Sequence, residues 1–157
     1  MQEKGNARPS TAFRIVGIDY GMARLGIAIS DETKTIAIPF TTLKAEKKME
    51  HTISKLLKEL ANHQETMRYN LEEIVIGLPL MMSGKYGVLA DEVKHFVELL
   101  RQKISCPIVL WDERLTTVQA ERSLRESSLT RKRRSQAVDS VASIIILQSY
   151  LDSKKVL

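Results

Sequence analysis

The sequence predicts an α/β domain built on a mixed five-stranded sheet with helices on both faces. Two observations predict it. Short β-branched runs with no helical spacing occur at five places, and between the later runs the apolar period lengthens from two residues to about 3.6. The first three runs lie close enough to pair antiparallel, whereas the last two are separated from their neighbours by helices, as parallel strands require.

Residues 1–13 are polar, aperiodic and carry Gly5 and Pro9, so a flexible tail is expected there and a single domain over 14–157. Ile15-Val16-Gly17-Ile18-Asp19 reads as a first strand ended by Tyr20-Gly21, and Leu25-Gly26-Ile27-Ala28-Ile29 follows as its hairpin partner. After a turn at Asp31-Glu32-Thr33, the run 35–40 gives a third strand, which Pro39 restricts to an edge or a bulge. Met49, Ile53, Leu56, Leu57 and Leu60 then form the stripe of an amphipathic helix. Ile74-Val75-Ile76-Gly77-Leu78-Pro79 is a continuous apolar run, the mark of a strand buried on both faces, and it opens into a Gly-containing loop over 80–87. A second helix carries Leu89, Val93, Phe96, Val97, Leu100 and Ile104. Pro107-Ile108-Val109-Leu110-Trp111 makes the fifth strand, a third helix is expected behind Thr116 or Thr117, and a last one runs from about 135 to 151.

Composition narrows the function classes. The 157 residues suffice for one core, and no apolar stretch approaches the ~18 residues of a membrane span. Nothing near the start resembles an export signal, and a lone cysteine, Cys106, cannot close an internal disulfide. A cytoplasmic protein with no membrane association is the expectation. The formal net charge is +5, and the window from Arg114 to Arg134 alone holds seven basic and two acidic residues, so it accounts for the whole surplus. A basic block in an otherwise balanced chain suits a polyanion, because each neutralised phosphate releases condensed counterions. A solvated loop flanked by helix-end charges would have the same composition.

Three carboxylates stand out against that basic background. Asp19 ends the first strand and Glu113 ends the fifth, at the edge where open α/β sheets place their ligands. Asp139 is the only charged residue between Ala137 and Leu147, and a lone acid in so apolar a helix needs a cation, a set of donors or a proton. Each has a plain structural alternative: a turn at Asp19, an ion pair of Glu113 with Arg114 or Arg24, a helix-dipole role for Asp139. Taken together they suit a hard divalent cation, Mg²⁺ or Mn²⁺, bridging carboxylates to a phosphodiester. Such chemistry needs no protein general base, and His51, His63 and His95 all fall on predicted helices away from the acids, as surface residues.

The motifs that contain these acids resemble a known family. Ile18-Asp19-Tyr20-Gly21 with Arg24-Leu25-Gly26-Ile27-Ala28, then Gly77-Leu78-Pro79-Leu80, then Asp112-Glu113-Arg114-Leu115-Thr116-Thr117, and finally Val138-Asp139-Ser140-Val141-Ala142-Ser143 with Ile146-Leu147-Gln148-Ser149-Tyr150-Leu151 look like the four blocks of the YqgF family, in its order and over about residues 14–151. The resemblance implies a ribonuclease-H-like fold with strand order 3-2-1-4-5. It implies a metal-dependent endonuclease that processes the 5′ end of precursor 16S rRNA in ribosome biogenesis, with Holliday junction resolution in DNA recombination as the alternative. By the same resemblance Asp19, Glu113 and Asp139 are the catalytic and metal-binding residues, and Arg24 and Arg114 occupy the family's basic positions; Arg133 and Arg134, from the basic block, are expected to bind substrate with them. The implied partners are precursor rRNA or branched DNA and an association with the ribosome, with the protein a monomer or a homodimer. Two departures from the family pattern touch substrate contacts. Met81-Met82-Ser83-Gly84 stands where an Asn-Met-Asp-Gly loop is usual, and Ala137 stands where a lysine is common.

Two further readings come from other classes. A non-catalytic nucleic-acid-binding module would use the same basic block, but it would gain nothing from three acids in its groove. Gly17-Ile18-Asp19-Tyr20-Gly21 also resembles the first phosphate loop of sugar-kinase and actin-type ATPases, which need two such domains, more than this chain can supply. Strand order 3-2-1-4-5 also poses a geometric question. It puts the fifth strand two positions from the first, roughly 10 Å away, so a shared ligand would depend on the longer Glu113 side chain, on sheet twist or on a bridging water.

Overall fold

The computed structural model describes residues 12–81, 83–116 and 141–155. Its strands are β1 (Phe13–Tyr20), β2 (Arg24–Ser30), β3 (Ala37–Lys44), β4 (Asn70–Leu78) and β5 (Ile108–Asp112). Helix α1 (Met49–Met67) precedes β4, α2 (Val88–Arg101) joins β4 to β5, and α3 (Val141–Lys155) closes the described chain. The sheet runs β3-β2-β1-β4-β5, with β1, β2 and β3 antiparallel to their neighbours in turn, and β4 parallel to both β1 and β5. The expected third helix lies outside the described residues.

Alternation along the strands divides the core into two layers. Val16, Ile18, Leu25, Ile27, Ile74 and Ile76 point to one face and pack with Ile53, Leu56 and Leu60 of α1 and Val93, Phe96 and Leu100 of α2. Ile15, Ala28 and Val75 point to the other and meet Ile144, Ile146, Leu147 and Leu151 of α3. Full burial of each such aliphatic side chain is worth about 1.5–3 kcal/mol, so each face holds its own helices. The near-continuous apolar run of β4 reflects this burial on both sides.

Local polar chemistry shifts two of the expected boundaries. The third strand starts at Ala37 instead of residue 35, because the Asp31 carboxylate accepts the amides of Thr35 (2.8 Å) and Ile36 (3.1 Å) and draws them into the β2–β3 turn. Pro39 does sit on the edge strand, beside a register shift that leaves Phe40 unpaired. Strand β4 starts at Asn70, earlier than its apolar run suggests, since Glu73 is buried where Tyr150 donates its hydroxyl (2.8 Å) and Lys154 its ammonium. Gln148 of α3 ties the helix to β3, accepting from the Ala37 amide at 2.9 Å and donating to the Thr35 carbonyl at 3.0 Å. His63 is half-buried and not the plain surface residue expected: its ring packs at a tilt against Phe40, centroids 4.3 Å apart, and its Nδ1 shares a hydrogen bond of 2.9 Å with the Tyr69 hydroxyl. Burial, and then the charge of Arg14, push its pKa down.

Candidate active site

Because β1, β4 and β5 are parallel, their carboxyl ends open on one edge of the sheet. The same alternation that packs Ile15 and Val75 against α3 turns Asp19, two residues beyond Gly17, to the α3 side as well. Asp19 is partly buried there, and desolvation raises its pKa. Glu113 begins a single 3₁₀ turn, Glu113–Leu115, just after β5. Its carbonyl accepts from the Thr116 amide (3.2 Å) and hydroxyl (2.7 Å), which fixes the turn. Helix α3 secures it from behind: Ser149 donates to the Leu115 carbonyl at 3.0 Å and accepts from the Trp111 indole at 3.2 Å.

Gly77 answers the question of the 10 Å gap. Ile76 pairs with Ile18 and Gly77 with Trp111, so Gly77 is the residue of β4 lying between the ends of β1 and β5. The Glu113 side chain folds back across it, and a Cβ on Gly77 would lie 2.7 Å from Glu113 Oε1 and 2.6 Å from Ile146 Cδ1. With no side chain in the way, Glu113 and Asp19 line one cleft of about 220 Å³ together with Thr116, Ala142, Ile145 and Ile146. Burial pushes the Glu113 pKa up to about 7, helped by the negative charges of Asp19 and Asp112.

Two desolvated carboxylates that repel each other are a poor way to stabilise a fold and a suitable way to receive a cation. Among the described residues no lysine or arginine forms an ion pair with either of them. Their hard oxygen donors and open cleft fit a divalent metal such as Mg²⁺, which keeps most of its waters and takes few protein ligands. Among the described residues no group of three acidic, histidine or cysteine ligands gathers, and Asp139, expected as the third, lies outside them.

Of the basic residues, Arg24 opens β2 at the same edge, where its carbonyl accepts the Gly21 amide at 2.9 Å. Arg114 also lies at this edge, but it pairs with Asp112 at 2.7 Å and not with Glu113, so that simple alternative for Glu113 does not hold. Arg133 and Arg134 lie outside the described residues. The 80–87 loop is a small hairpin: Leu80 pairs with Tyr86, the Gly84 amide donates to the Met81 carbonyl at 2.8 Å, and Gly84 has φ +81°. Sequence reasoning passed over Asp112, Thr116 and Ser149 as site residues, and nothing in their spacing marks them. It did not assign Gly77 a role either, although a glycine inside a central apolar strand signals that something approaches closely.

A mixed five-stranded sheet of this order, helices on both faces and acids at the ends of parallel strands define the ribonuclease-H-like fold of the resolvases. The chain is similar in fold to Thermus thermophilus RuvC, solved in complex with a Holliday junction substrate, with a TM-score of 0.51 and 12% identity over 90% of this chain and 96% of that one. The fowlpox virus Holliday junction resolvase matches with a TM-score of 0.50 and 14% identity over 89% and 99% of the two chains.

The family model described as RuvX, Holliday junction resolvase, matches residues 13–153, and the chain belongs to this family, also called YqgF. A relative from Protochlamydia amoebophila, named "Putative pre-16S rRNA nuclease", is 64% identical over 141 residues, which span 90% of this chain and 94% of the relative. Among the described residues no helix is long and apolar enough to cross a membrane.

Proposed function

We propose that this protein is a metal-dependent endonuclease that hydrolyses phosphodiester bonds of precursor 16S rRNA at its 5′ end, in the cytoplasm and during ribosome assembly. The observation that carries the reading is the pair of desolvated acids, Asp19 and Glu113, sharing one cleft beside Gly77. Asp139 completes the ligand set for Mg²⁺ or Mn²⁺ in this reading. Such an ion supplies Lewis acidity, lowering the pKa of water and offsetting charge on the scissile phosphate. Asp19 and Glu113 hold their carboxylates on the α3 side, and the turn after β5 keeps Glu113 from swinging away. Ala142, Ile145 and Ile146 form an apolar wall that limits water around the reacting phosphate and strengthens each charge interaction within the cleft. Arg24, Arg114, Arg133 and Arg134 bind the phosphates of the substrate strand.

The test is cleavage of a 5′-extended precursor fragment by purified protein in Mg²⁺, compared with Asp19→Asn. Loss of cleavage in the variant with retained RNA binding is the expected result, and cleavage at the wild-type rate by Asp19→Asn would overturn the reading. The family model's description favours a second reading, resolution of four-way DNA. Paired incisions of that kind call for a two-fold dimer. A monomer in sedimentation that leaves four-way DNA intact removes this option.

A further inference from the structure

Arg114 is folded around a single carboxylate. Its amide donates to Asp112 Oδ1 at 3.0 Å, its Nε reaches Oδ1 at 3.1 Å and Oδ2 at 3.0 Å, and one terminal nitrogen, Nη2, donates to Oδ2 at 2.7 Å. A guanidinium has two edges that can each grip a pair of oxygens: a side edge made by Nε and one terminal nitrogen, and an end edge made by both terminal nitrogens. Asp112 fills the side edge. The other terminal nitrogen, Nη1, points past Gly84 of the 80–87 loop, 3.5 Å from the place a Cβ there would occupy. Gly84 sits at φ +81°, a conformation that favours glycine, so at this position of the loop no side chain covers the end edge.

We propose that Asp112 is a positioning residue that locks Arg114 with the end edge of its guanidinium presented to one phosphodiester of the substrate strand. The proposal rests on the nuclease reading for the identity of that strand. An Asp112–Arg114 pair has no net charge and therefore attracts a polyanion weakly from a distance. Its contribution is orientation at close range, where a planar fork matches two non-bridging phosphate oxygens and a lysine ammonium does not. Arg114 in this role differs from the other basic residues of the site, which can serve by charge alone. Gly84 belongs to the same device, since a side chain there would strain the turn, although its Cβ would meet Nη1 only at an ordinary contact distance of 3.5 Å.

A double-mutant cycle on the full chain tests this. Binding of fluorescein-labelled single-stranded RNA is followed by anisotropy without metal, and cleavage of the same RNA is followed in Mg²⁺, for Asp112→Ala, Arg114→Ala, Arg114→Lys and the Asp112→Ala/Arg114→Ala double variant. Asp112→Asn, which keeps the shape, stands in if the alanine variant unfolds. Each single variant is expected to weaken binding about ten-fold, the scale of a charge-assisted bidentate contact. The loss should fall on KM more than on kcat, Arg114→Lys should not restore it, and the double variant should bind no worse than Arg114→Ala alone. Additive losses overturn the proposal, as does Asp112→Ala binding that is unchanged or tighter, since tighter binding would mean that Asp112 merely repels phosphate. If the wild-type protein binds RNA without cutting it, the nuclease reading fails and the anisotropy cycle still decides the clamp. If it binds no RNA, both fail.

Discussion

Replacing Gly77 with alanine should disable the site out of proportion to its effect on the fold. The new methyl group would stand 2.6 Å from Ile146 Cδ1 and 2.7 Å from Glu113 Oε1, where ordinary contact starts at 3.4 Å. Both atoms are ends of side chains, and the next contact, Glu113 Cγ at 3.1 Å, belongs to the same flexible side chain, so the protein can yield locally and the stability cost belongs near the bottom of the overpacking range, about 1 kcal/mol. For a chain of this length that lowers Tm by about 2–4 °C. The Glu113 carboxylate, however, has to retreat by roughly 0.7 Å, and displacements of that order in a reacting constellation cost between about ten- and a hundred-fold in rate. Gly17→Ala supplies the contrast. Its methyl group would meet Leu147 Cβ at 2.6 Å and the Ser143 carbonyl at 3.3 Å, atoms that cannot rotate aside, so α3 itself must lift and a loss nearer 3 kcal/mol follows. Initial cleavage rates on labelled RNA and calorimetric melting of both variants separate the two effects. Wild-type activity in folded Gly77→Ala would refute the reasoning, and so would a melting loss as large as that of Gly17→Ala.

Other consequences can be tested alongside it. In metal-free protein the Glu113 pKa lies near 7, above its ordinary 4.5, so the folded state holds that proton more tightly than the unfolded chain. The contribution of Glu113 to stability should therefore be full below about pH 4.5 and decline as the pH rises to about 7, and Glu113→Gln should flatten that part of the profile in urea titrations. Asp31 has the opposite sign. Burial alone would raise its pKa, but the Thr33 hydroxyl and the Thr35 and Ile36 amides outweigh it and hold the carboxylate below its usual value. Its contribution is present above pH 3.8 and is lost as the pH falls through the lowered value. Asp31→Ala should cost about 1–2 kcal/mol at neutral pH, read from the urea midpoint. Tyr150→Phe removes the hydroxyl that donates to buried Glu73 while leaving Lys154 in place, and the expected loss is about 1 kcal/mol by thermal melting.

The parts of the fold that the sequence made legible are those governed by hydrophobic period. Strands β1 and β2, the cores of α1 and α2, the parallel character of β4 and the edge position of Pro39 all follow from spacing and turn chemistry, because one residue's burial predicts that of its neighbours two or four positions away. What was not legible depends on partners distant in sequence. Nothing near Glu73 reveals that Tyr150 and Lys154 will satisfy it, so β4 looked as though it began four residues later than it does. Similarly, Asp31 looks like any turn acid until its carboxylate takes the amides of Thr35 and Ile36 out of β3. At the site, Asp19 and Glu113 were visible because each closes an apolar strand. The Asp112–Arg114 clamp was not, since two adjacent acids followed by an arginine leave open which one the guanidinium will choose.

That choice bears on the chemistry. Had Arg114 paired with Glu113, the cleft would hold a neutral pair and have little reason to admit a cation. By binding Asp112 on the far side of the strand end, the arginine leaves Glu113 beside Asp19 with no ion pair among the described residues; burial raises the pKa of both acids, and the charges of Asp19 and Asp112 add to it at Glu113. Successive residues at the end of β5 thus do opposite work, since side chains alternate across a strand and its immediate continuation. Asp112 orients a positive group toward the loop after β4, while Glu113 turns back over Gly77 toward Asp19. The strand order makes this possible: an acid after β5 can reach one near the end of β1 only if the strand between them is bare at that level, and Gly77 is the residue that β4 presents there.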